Sequence, residues 1–199
     1  MKKTVLYIVI FLLVVLNIQI FIQDRNAPDD ALTVIHQRRS VRHFTGRAVS
    51  QSDLVALVKA GMAAPSAVNM QPWSFVIVSD RQALNALMEV LPYAKMLDKA
   101  GAAIVVCALP EKAIQGKTEF AIIDSSCASE NILLAAQALG LGALWTAVYP
   151  DEVKMDAVRK QLNIPANIIP LNVIPVGYPT GEDKPKNKFK VGNIHWGKW

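Results

Sequence analysis

The hydrophobic pattern begins with one long apolar stretch near the N-terminus. Residues 4–22 are apolar at almost every position, and only Asn17 and Gln19 interrupt them. About 20 apolar residues are enough to span a bilayer as a helix. Lys2 and Lys3 precede the stretch and acidic residues follow it. By the positive-inside rule, this arrangement predicts a transmembrane anchor with the following domain on the extracytoplasmic side.

A cleavable signal peptide is the alternative interpretation of this stretch. The apolar segment is longer than a usual signal-peptide core, and no cleavage site with small residues follows it. We therefore favour an uncleaved anchor. The sequence predicts two parts, a membrane anchor or uncleaved signal with its linker over residues 1–27 and a folded domain over residues 28–199.

After residue 28 the pattern changes to short helical and extended segments. Apolar residues spaced three and four apart predict helices that begin near Asp30, Ser50, Arg81, Glu119 and Asp151. Runs rich in Val and Ile predict strands over residues 75–78, 102–109, 143–148 and 171–176. Because helices and strands alternate imperfectly, we expect an α+β sandwich in which helices flank a mainly antiparallel or mixed central sheet.

The longest predicted helix, residues 119–139, is rich in small residues and ends at Gly140. Alanine and serine alternate there with Ile and Leu, so apolar positions occur on nearly all faces of the helix. Small residues allow another helix to approach closely. The pattern is equally compatible with a crowded core and with a dimer interface.

Composition restricts the possible functions. The chain has 199 residues and a net charge of +5, and its basic residues cluster mainly over residues 38–47 and 184–190. No signature of a nucleic-acid-binding module is present, so we expect no nucleic acid partner. Two cysteines and three histidines show no ligand spacing, and we expect no metal. Two basic clusters are sufficient for a phosphorylated small molecule.

The first basic cluster has the composition of a phosphate-binding site. Arg38, Arg39, Ser40 and Arg42 lie within five residues of sequence. The planar guanidinium group matches phosphate oxygens two at a time, and a hydroxyl adds a further donor. The alternative is a solvated basic patch at the end of a helix, where cations complement the helix dipole.

A second candidate stretch is the loop over residues 65–73. Ser66, Asn69 and Gln71 offer hydroxyl and amide groups, and Pro65 and Pro72 restrict the backbone on either side. Such groups suit a ring with carbonyls and nitrogens. An ordinary connection between a helix and a strand is the alternative.

Four motifs together resemble the nitroreductase family of FMN-dependent oxidoreductases. They are RRSVRHF at 38–44, APSAVNMQPW at 64–73, AAQALGLGALW at 135–145 and VGYP at 176–179. Their order and spacing match, and the resemblance covers essentially all of residues 30–199. It implies a three-layer sandwich and an obligate homodimer with FMN at the interface.

The resemblance also implies which residues contact the cofactor. The residues implied for the FMN phosphate are Arg38, Arg39, Ser40, Arg42, Lys186 and Lys188. The residues implied for the loop that contacts the flavin, reaching it from the partner subunit, are Pro65, Ser66, Ala67, Asn69 and Gln71. The residues implied beside the flavin N5 edge are Thr146, Ala147 and Val148, where a frequent glycine of the family is replaced.

In that family the flavin carries the redox chemistry. The resemblance implies that NAD(P)H gives a hydride to N5 and leaves, and that a small-molecule acceptor, a nitroaromatic or a quinone, then takes its place. No protein nucleophile or general base is required, and we find no Ser-His-Asp or paired-carboxylate pattern. One alternative is a specialised flavoenzyme or flavin-binding module that is fed by another donor. Another is a basic structural protein of a membrane surface, which would carry no chromophore.

The sequence offers one candidate stretch for the lining of the substrate pocket. Tyr93 to Met96 lie between a predicted helix and a predicted strand, where they could line a pocket. The pattern favours a plain connecting turn for them.

Overall fold

The computed structural model describes residues 30–199. Val34–Trp199 form one compact unit, and the residues before Val34 form a separate unit of which only residues 30–33 are described. The predicted domain boundary between residues 27 and 28 lies outside the described residues and stays a prediction.

The described residues form helices and strands that follow one another irregularly. The α-helices are Ala31–Gln37 (α1), Gln51–Met62 (α2), Arg81–Val90 (α3), Thr118–Ala138 (α4) and Glu152–Leu162 (α5). The strands are Trp73–Val78 (β1), Ala102–Ala108 (β2), Gly142–Ala143 (β3), Thr146–Ala147 (β4) and Ile169–Gly177 (β5). Single turns of 3₁₀-helix at Ala67–Asn69 and Lys95–Asp98 belong to the connections.

Side-chain caps explain where three of the helices begin. Ser50 Oγ accepts a hydrogen bond from the Asp53 amide at 3.0 Å, ahead of α2. Asp80 and Asp151 cap α3 and α5 in the same way, each through a carboxylate oxygen. These residues satisfy amides that have no partner in the first turn of a helix. The predicted starts of these helices are confirmed.

The sheet is antiparallel at every paired strand. Its order is β1-β2-β5-β3, and β4 also pairs with β5. The prediction of one strand over residues 143–148 is wrong in detail, because Leu144 and Trp145 interrupt it. The interruption lies opposite Pro175 of β5, which has no amide hydrogen to contribute to the ladder.

Helices cover both faces of the sheet. Every residue of β2 is buried, and its side chains alternate between two hydrophobic clusters. Ala103, Val105 and Cys107 pack with α3 and α5. Ile104 and Val106 pack on the opposite face with α2 and α4. The predicted α+β class, with an antiparallel sheet between layers of helices, is confirmed.

The prediction of a transmembrane helix is wrong for the part of the chain that the structure describes. Among residues 30–199 no helix combines the length and the apolar content that a bilayer crossing requires. The longest helix of these residues, α4, has 21 residues and carries Glu119, Asp124 and Glu130. The predicted anchor, residues 4–22, lies outside the described residues. The fold class is therefore corrected to the α+β domain alone, and the described residues support neither membrane attachment nor an extracytoplasmic location.

Candidate active site

The first two arginines of the basic run are held by helix α4. Arg38 Nε lies 3.2 Å from Glu130 Oε1 in an ion pair, and Arg39 Nη1 donates to Gln137 Oε1 at 3.1 Å. Glu130 and Gln137 are seven residues apart and therefore lie on the same face of α4, two turns from each other. The helix thus fixes where the run begins.

The next residues lie against strand β3. Ser40 forms a parallel bridge with Ala143, and the Val41 amide donates to the Ala143 carbonyl at 3.1 Å. The approach is close, because a Cβ added at Gly142 would lie 2.6 to 2.8 Å from the Val41 side chain. Only glycine permits it. Val41 is buried by this contact, whereas Ser40 and Arg42 remain exposed on either side of it.

A distant C-terminal segment closes over the same run. Asp183 Oδ2 accepts hydrogen bonds from the amides of Arg42 at 2.9 Å and of His43 at 3.1 Å, and it lies 3.2 Å from His43 Nδ1. Burial by itself raises the pKa of Asp183, but these hydrogen bonds outweigh it and lower the pKa below 3.8. The carboxylate therefore attaches the C-terminal segment to the basic run at residue 183.

These contacts produce a basic cavity of about 550 Å³. Its lining includes all six residues predicted for the FMN phosphate, namely Arg38, Arg39, Ser40, Arg42, Lys186 and Lys188. Lys184 adds a further cation, and Glu182 and Asp183 are the acidic residues of the lining. Cations outnumber carboxylates by four, so the cavity suits a doubly charged anion. The structure brings the six residues together, and phosphate binding itself stays a prediction.

A second cavity of about 650 Å³ adjoins the first, and Arg42 lines both. Its other walls are mainly apolar and aromatic, with Leu91, Pro92, Tyr93, Met96, Leu144, Trp145 and Ala147. Thr146 also contributes, and its hydroxyl oxygen is buried with no hydrogen-bond partner in residues 30–199. The walls suit a flat ring that ends in polar groups.

Two of the three residues predicted for the flavin N5 edge, Thr146 and Ala147, line this second cavity. Val148 is not in its lining. The Val148 side chain is buried in the core, and its amide donates to the Leu171 carbonyl at 3.1 Å. Neither its side chain nor its amide is available to a ligand in this arrangement.

The predicted flavin loop lies apart from both cavities. Pro65, Ser66, Ala67, Asn69 and Gln71 are absent from the two linings. The loop is instead attached to α4, because the Ala67 amide donates to both carboxylate oxygens of Asp124 at 3.2 Å. Within the described chain, the structure does not bring the loop together with the other predicted residues.

The loop has an unusual backbone that these contacts maintain. Val68, Asn69 and Gln71 have positive φ angles of 50° to 59°, which residues other than glycine adopt uncommonly. Ser66 Oγ accepts from the Gln71 amide at 3.0 Å, and Gln71 Nε2 donates to Asn69 Oδ1 at 2.9 Å. The loop is therefore held in a defined conformation, with Val68 and Met70 exposed.

Several residues of the site are missed by the sequence analysis. Tyr93, Lys95 and Met96 line the second cavity, although the pattern favours a plain turn for them. Lys154 of α5 lines it as well and has no local sequence signal. Asp124 does have one, because it is the acidic residue within the small and apolar positions 121–129 of α4, and an acidic residue buried there needs partners.

Comparisons with known proteins agree with this arrangement. The model of the nitroreductase family matches residues 35–95 and 83–178. A relative from Archaeoglobus fulgidus, named "Putative NADH dehydrogenase/NAD(P)H nitroreductase", is 42% identical over 174 residues, which cover 86% of this chain and 99% of the relative. A solved structure of the same name from Parabacteroides distasonis is 47% identical with a TM-score of 0.80, over 85% of this chain and 98% of that one. A solved FMN-dependent nitroreductase from Clostridium difficile is 27% identical with a TM-score of 0.76, over 83% and 98%. The chain therefore belongs to the nitroreductase family and is an oxidoreductase.

Proposed function

We propose that this protein is an FMN-dependent NAD(P)H oxidoreductase that reduces nitroaromatic or quinone-type acceptors. The observation that carries the proposal is the pair of adjoining cavities that share Arg42, one basic and one largely apolar. FMN has the same division, with a dianionic phosphate at one end and a flat ring at the other. The residues present therefore fit the cofactor of the family.

We assign the basic cavity to the FMN phosphate. Arg42, Lys186 and Lys188 supply charge from two segments that Asp183 holds together. Arg38 and Arg39 add charge from positions that α4 fixes. Because the segments are attached before the ligand arrives, little ordering is required on binding.

We assign the second cavity to the flavin ring and to the substrates. When bound there, FMN would supply the redox chemistry, with its N5 as the position for hydride transfer from NAD(P)H. The 144–147 segment and Tyr93 line this cavity and would hold the ring, and the apolar walls would limit the water around it. No side chain of the lining is required to form a bond with a substrate.

Donor and acceptor both have to reach the ring. The second cavity adjoins the phosphate cavity and is open to solvent through the side that carries the exposed Tyr93. We infer that the two substrates use this access in turn, which is a ping-pong order. Initial rates measured against both substrates should then give parallel double-reciprocal lines, whereas intersecting lines would contradict this order.

We also propose that the protein acts as a homodimer. Phe120 and Ile123 are exposed on α4, and Val68 and Met70 are exposed on the loop that Asp124 attaches beside them. Several apolar side chains exposed in neighbouring segments are typical of an interface. A second copy seated there would give the 65–71 loop a ring to contact, in the partner's site.

The C-terminal segment supports the same assembly. Phe189, Val191, Trp196 and Trp199 are each at least 73% exposed within the single described chain. Aromatic residues of this size are enriched in interfaces. We expect residues 189–199 to pack on the partner subunit.

The first experiment is an absorbance spectrum of the purified full-length protein after FMN has been supplied and the excess removed. We expect flavin bands that bleach when NADH or NADPH is added without oxygen, and that return when a nitroaromatic or a quinone is added. Bands that persist until dithionite is added would contradict the nicotinamide donor and favour another donor. An absence of flavin bands would contradict the whole proposal.

A further inference from the structure

The charged side chains that line the second cavity are all cationic. Arg42, Lys95 and Lys154 belong to its lining, which contains no Asp or Glu. Asp151 lies just outside, where its Oδ2 is 2.7 Å from Lys154 Nζ. A mostly apolar cavity with three cations is an unusual environment for a neutral ligand alone.

Two of these cations have no role in the phosphate site. Arg42 also lines the basic cavity, whereas Lys95 and Lys154 line only the second of the two. Lys95 is exposed and makes no ion pair within residues 30–199. The side chain of Lys154 is 26% exposed, and its ion pair with Asp151 leaves two ammonium hydrogens for other acceptors.

Aromatic surface lies next to the same cations. Lys154 Nζ is 5.9 Å from the centroid of the Tyr93 ring, and Tyr93 and Trp145 both line the cavity. A compact ligand can therefore pack a ring on aromatic walls while it places a negative group near the ammonium groups. Charged groups interact more strongly beside apolar walls than in open water.

We propose that Lys95 and Lys154 form an anion-selecting site, so that the enzyme prefers aromatic acceptors that carry a carboxylate or a similar anionic group. The inference rests on the proposed function, because it names the class of acceptor that the same cavity takes. Lys95 and Lys154 are specificity-determining residues in this assignment.

The phosphates of the nicotinamide donor are a second possible source of the anion. They are separated from the nicotinamide by a ribose, so they extend away from the ring that receives the hydride. An aromatic acid carries its charge directly on the reacting ring, and Lys95 and Lys154 line the cavity assigned to that ring. The geometry therefore favours the acceptor.

The test compares acceptors of equal size with the FMN-loaded full-length enzyme. The acceptors are 4-nitrobenzoate, 4-nitrobenzamide and 4-nitrobenzylamine, which are anionic, neutral and cationic at pH 7. We expect kcat/KM to fall in that order, and the preference for the benzoate to shrink as salt rises from about 20 to 300 mM, because salt screens the lysines. Equal kcat/KM values for the three acceptors would overturn the inference and leave the proposed function intact.

Substitutions assign the preference to particular residues. Lys95→Met and Lys154→Met keep an unbranched side chain that is one atom shorter and remove its charge. We expect each substitution to lower kcat/KM for 4-nitrobenzoate by about two- to five-fold, with little change in kcat/KM for 4-nitrobenzamide. Lys160→Met is the matched control, because Lys160 is exposed on the same helix as Lys154 and lies outside the cavity lining. A loss that affects KM for NADH or NADPH instead would assign the lysines to the donor and overturn the inference.

A binding measurement separates this inference from the proposed function. Dissociation constants for 4-nitrobenzoate and 4-nitrobenzamide are obtained from the shift of the flavin absorption band in the oxidised holoenzyme, with no donor present. If neither compound is reduced, the proposed acceptor class fails, and these constants still decide the inference. Tighter binding of the benzoate that is lost in Lys95→Met and Lys154→Met supports it, and equal binding overturns it.

Discussion

The three arginines of the basic run differ in the partners of their side chains. Arg38 pairs with Glu130 and Arg39 with Gln137, whereas the guanidinium group of Arg42 has no partner in the described residues. Arg42 also lies where the two cavities meet. Its charge is therefore the most available of the three to a phosphate.

We expect Arg42→Ala to weaken FMN binding. A hydrogen bond to a charged group contributes about 1.5 to 3 kcal/mol, so the dissociation constant should rise roughly 10- to 150-fold. Quenching of FMN fluorescence on titration with apoprotein measures it. Lys160→Ala, which removes an exposed cation outside both cavities, should leave the constant unchanged. Equal affinity of Arg42→Ala and the unaltered protein would contradict the phosphate assignment.

At the scale of elements, the basic run and the C-terminal segment are joined by backbone hydrogen bonds, such as Thr180 N–H to the His43 carbonyl, and by the carboxylate of Asp183. Asp183 accepts from the amides of Arg42 and His43, which are about 140 residues away in the chain. Its pKa is lowered in the fold, so the folded state favours the charged form. This contribution to stability is fully present above the unfolded pKa near 3.8 and is lost as the pH falls through the lower folded value.

We expect Asp183→Asn to lower Tm at neutral pH and to make little difference in strong acid. The variant lacks the charge that the two amides stabilise, and below the folded pKa the unaltered protein has lost that charge as well. Thermal unfolding followed by circular dichroism between about pH 2 and 7 measures the difference. Asp156→Asn removes a 75% exposed carboxylate and is the control, for which we expect a smaller change. A Tm difference that stays constant across this range would refute the role given to Asp183.

At the scale of the whole molecule, the predicted site residues of one chain lie in two separate places. The basic and apolar cavities adjoin each other, and the 65–71 loop is attached to α4 outside them. The exposed apolar residues of α4 and of the loop lie on this part of the surface. A symmetric dimer would cover them and give each loop a place in the other subunit's site.

We expect Ile123→Asp to shift the protein toward the monomer and to weaken FMN binding. Ile123 is 57% exposed in the single chain, so the change should not disturb the core. Burying an aliphatic side chain contributes about 1.5 to 3 kcal/mol, and a two-fold interface loses it twice. Sedimentation velocity and FMN titration measure the two effects. Val153→Asp, at a β-branched position on α5 that is 80% exposed, should change neither, and an Ile123→Asp protein with unaltered mass and affinity would rule out this interface.

Most of the helices and strands of this protein, apart from the interrupted strand at residues 143–148, were determined by the sequence alone. Helix caps at Ser50, Asp80 and Asp151 act over three residues, and the burial of β2 follows from its own apolar composition. Local interactions of this kind can be recognised within a short stretch of the sequence. The motifs that resemble the nitroreductase family could be recognised for the same reason, since each lies within about ten consecutive residues.

Only the tertiary structure decided how these parts meet. Lys186 and Lys188 line the same cavity as Arg42, to which Asp183 attaches their segment. Lys154 lies near the Tyr93 ring although it belongs to a helix about 60 residues later in the chain. The packing of α4 against the loop gave Asp124 its partner and kept Pro65 to Gln71 away from the cavities of the same chain. These contacts depend on how distant segments pack, which no periodicity within one segment encodes.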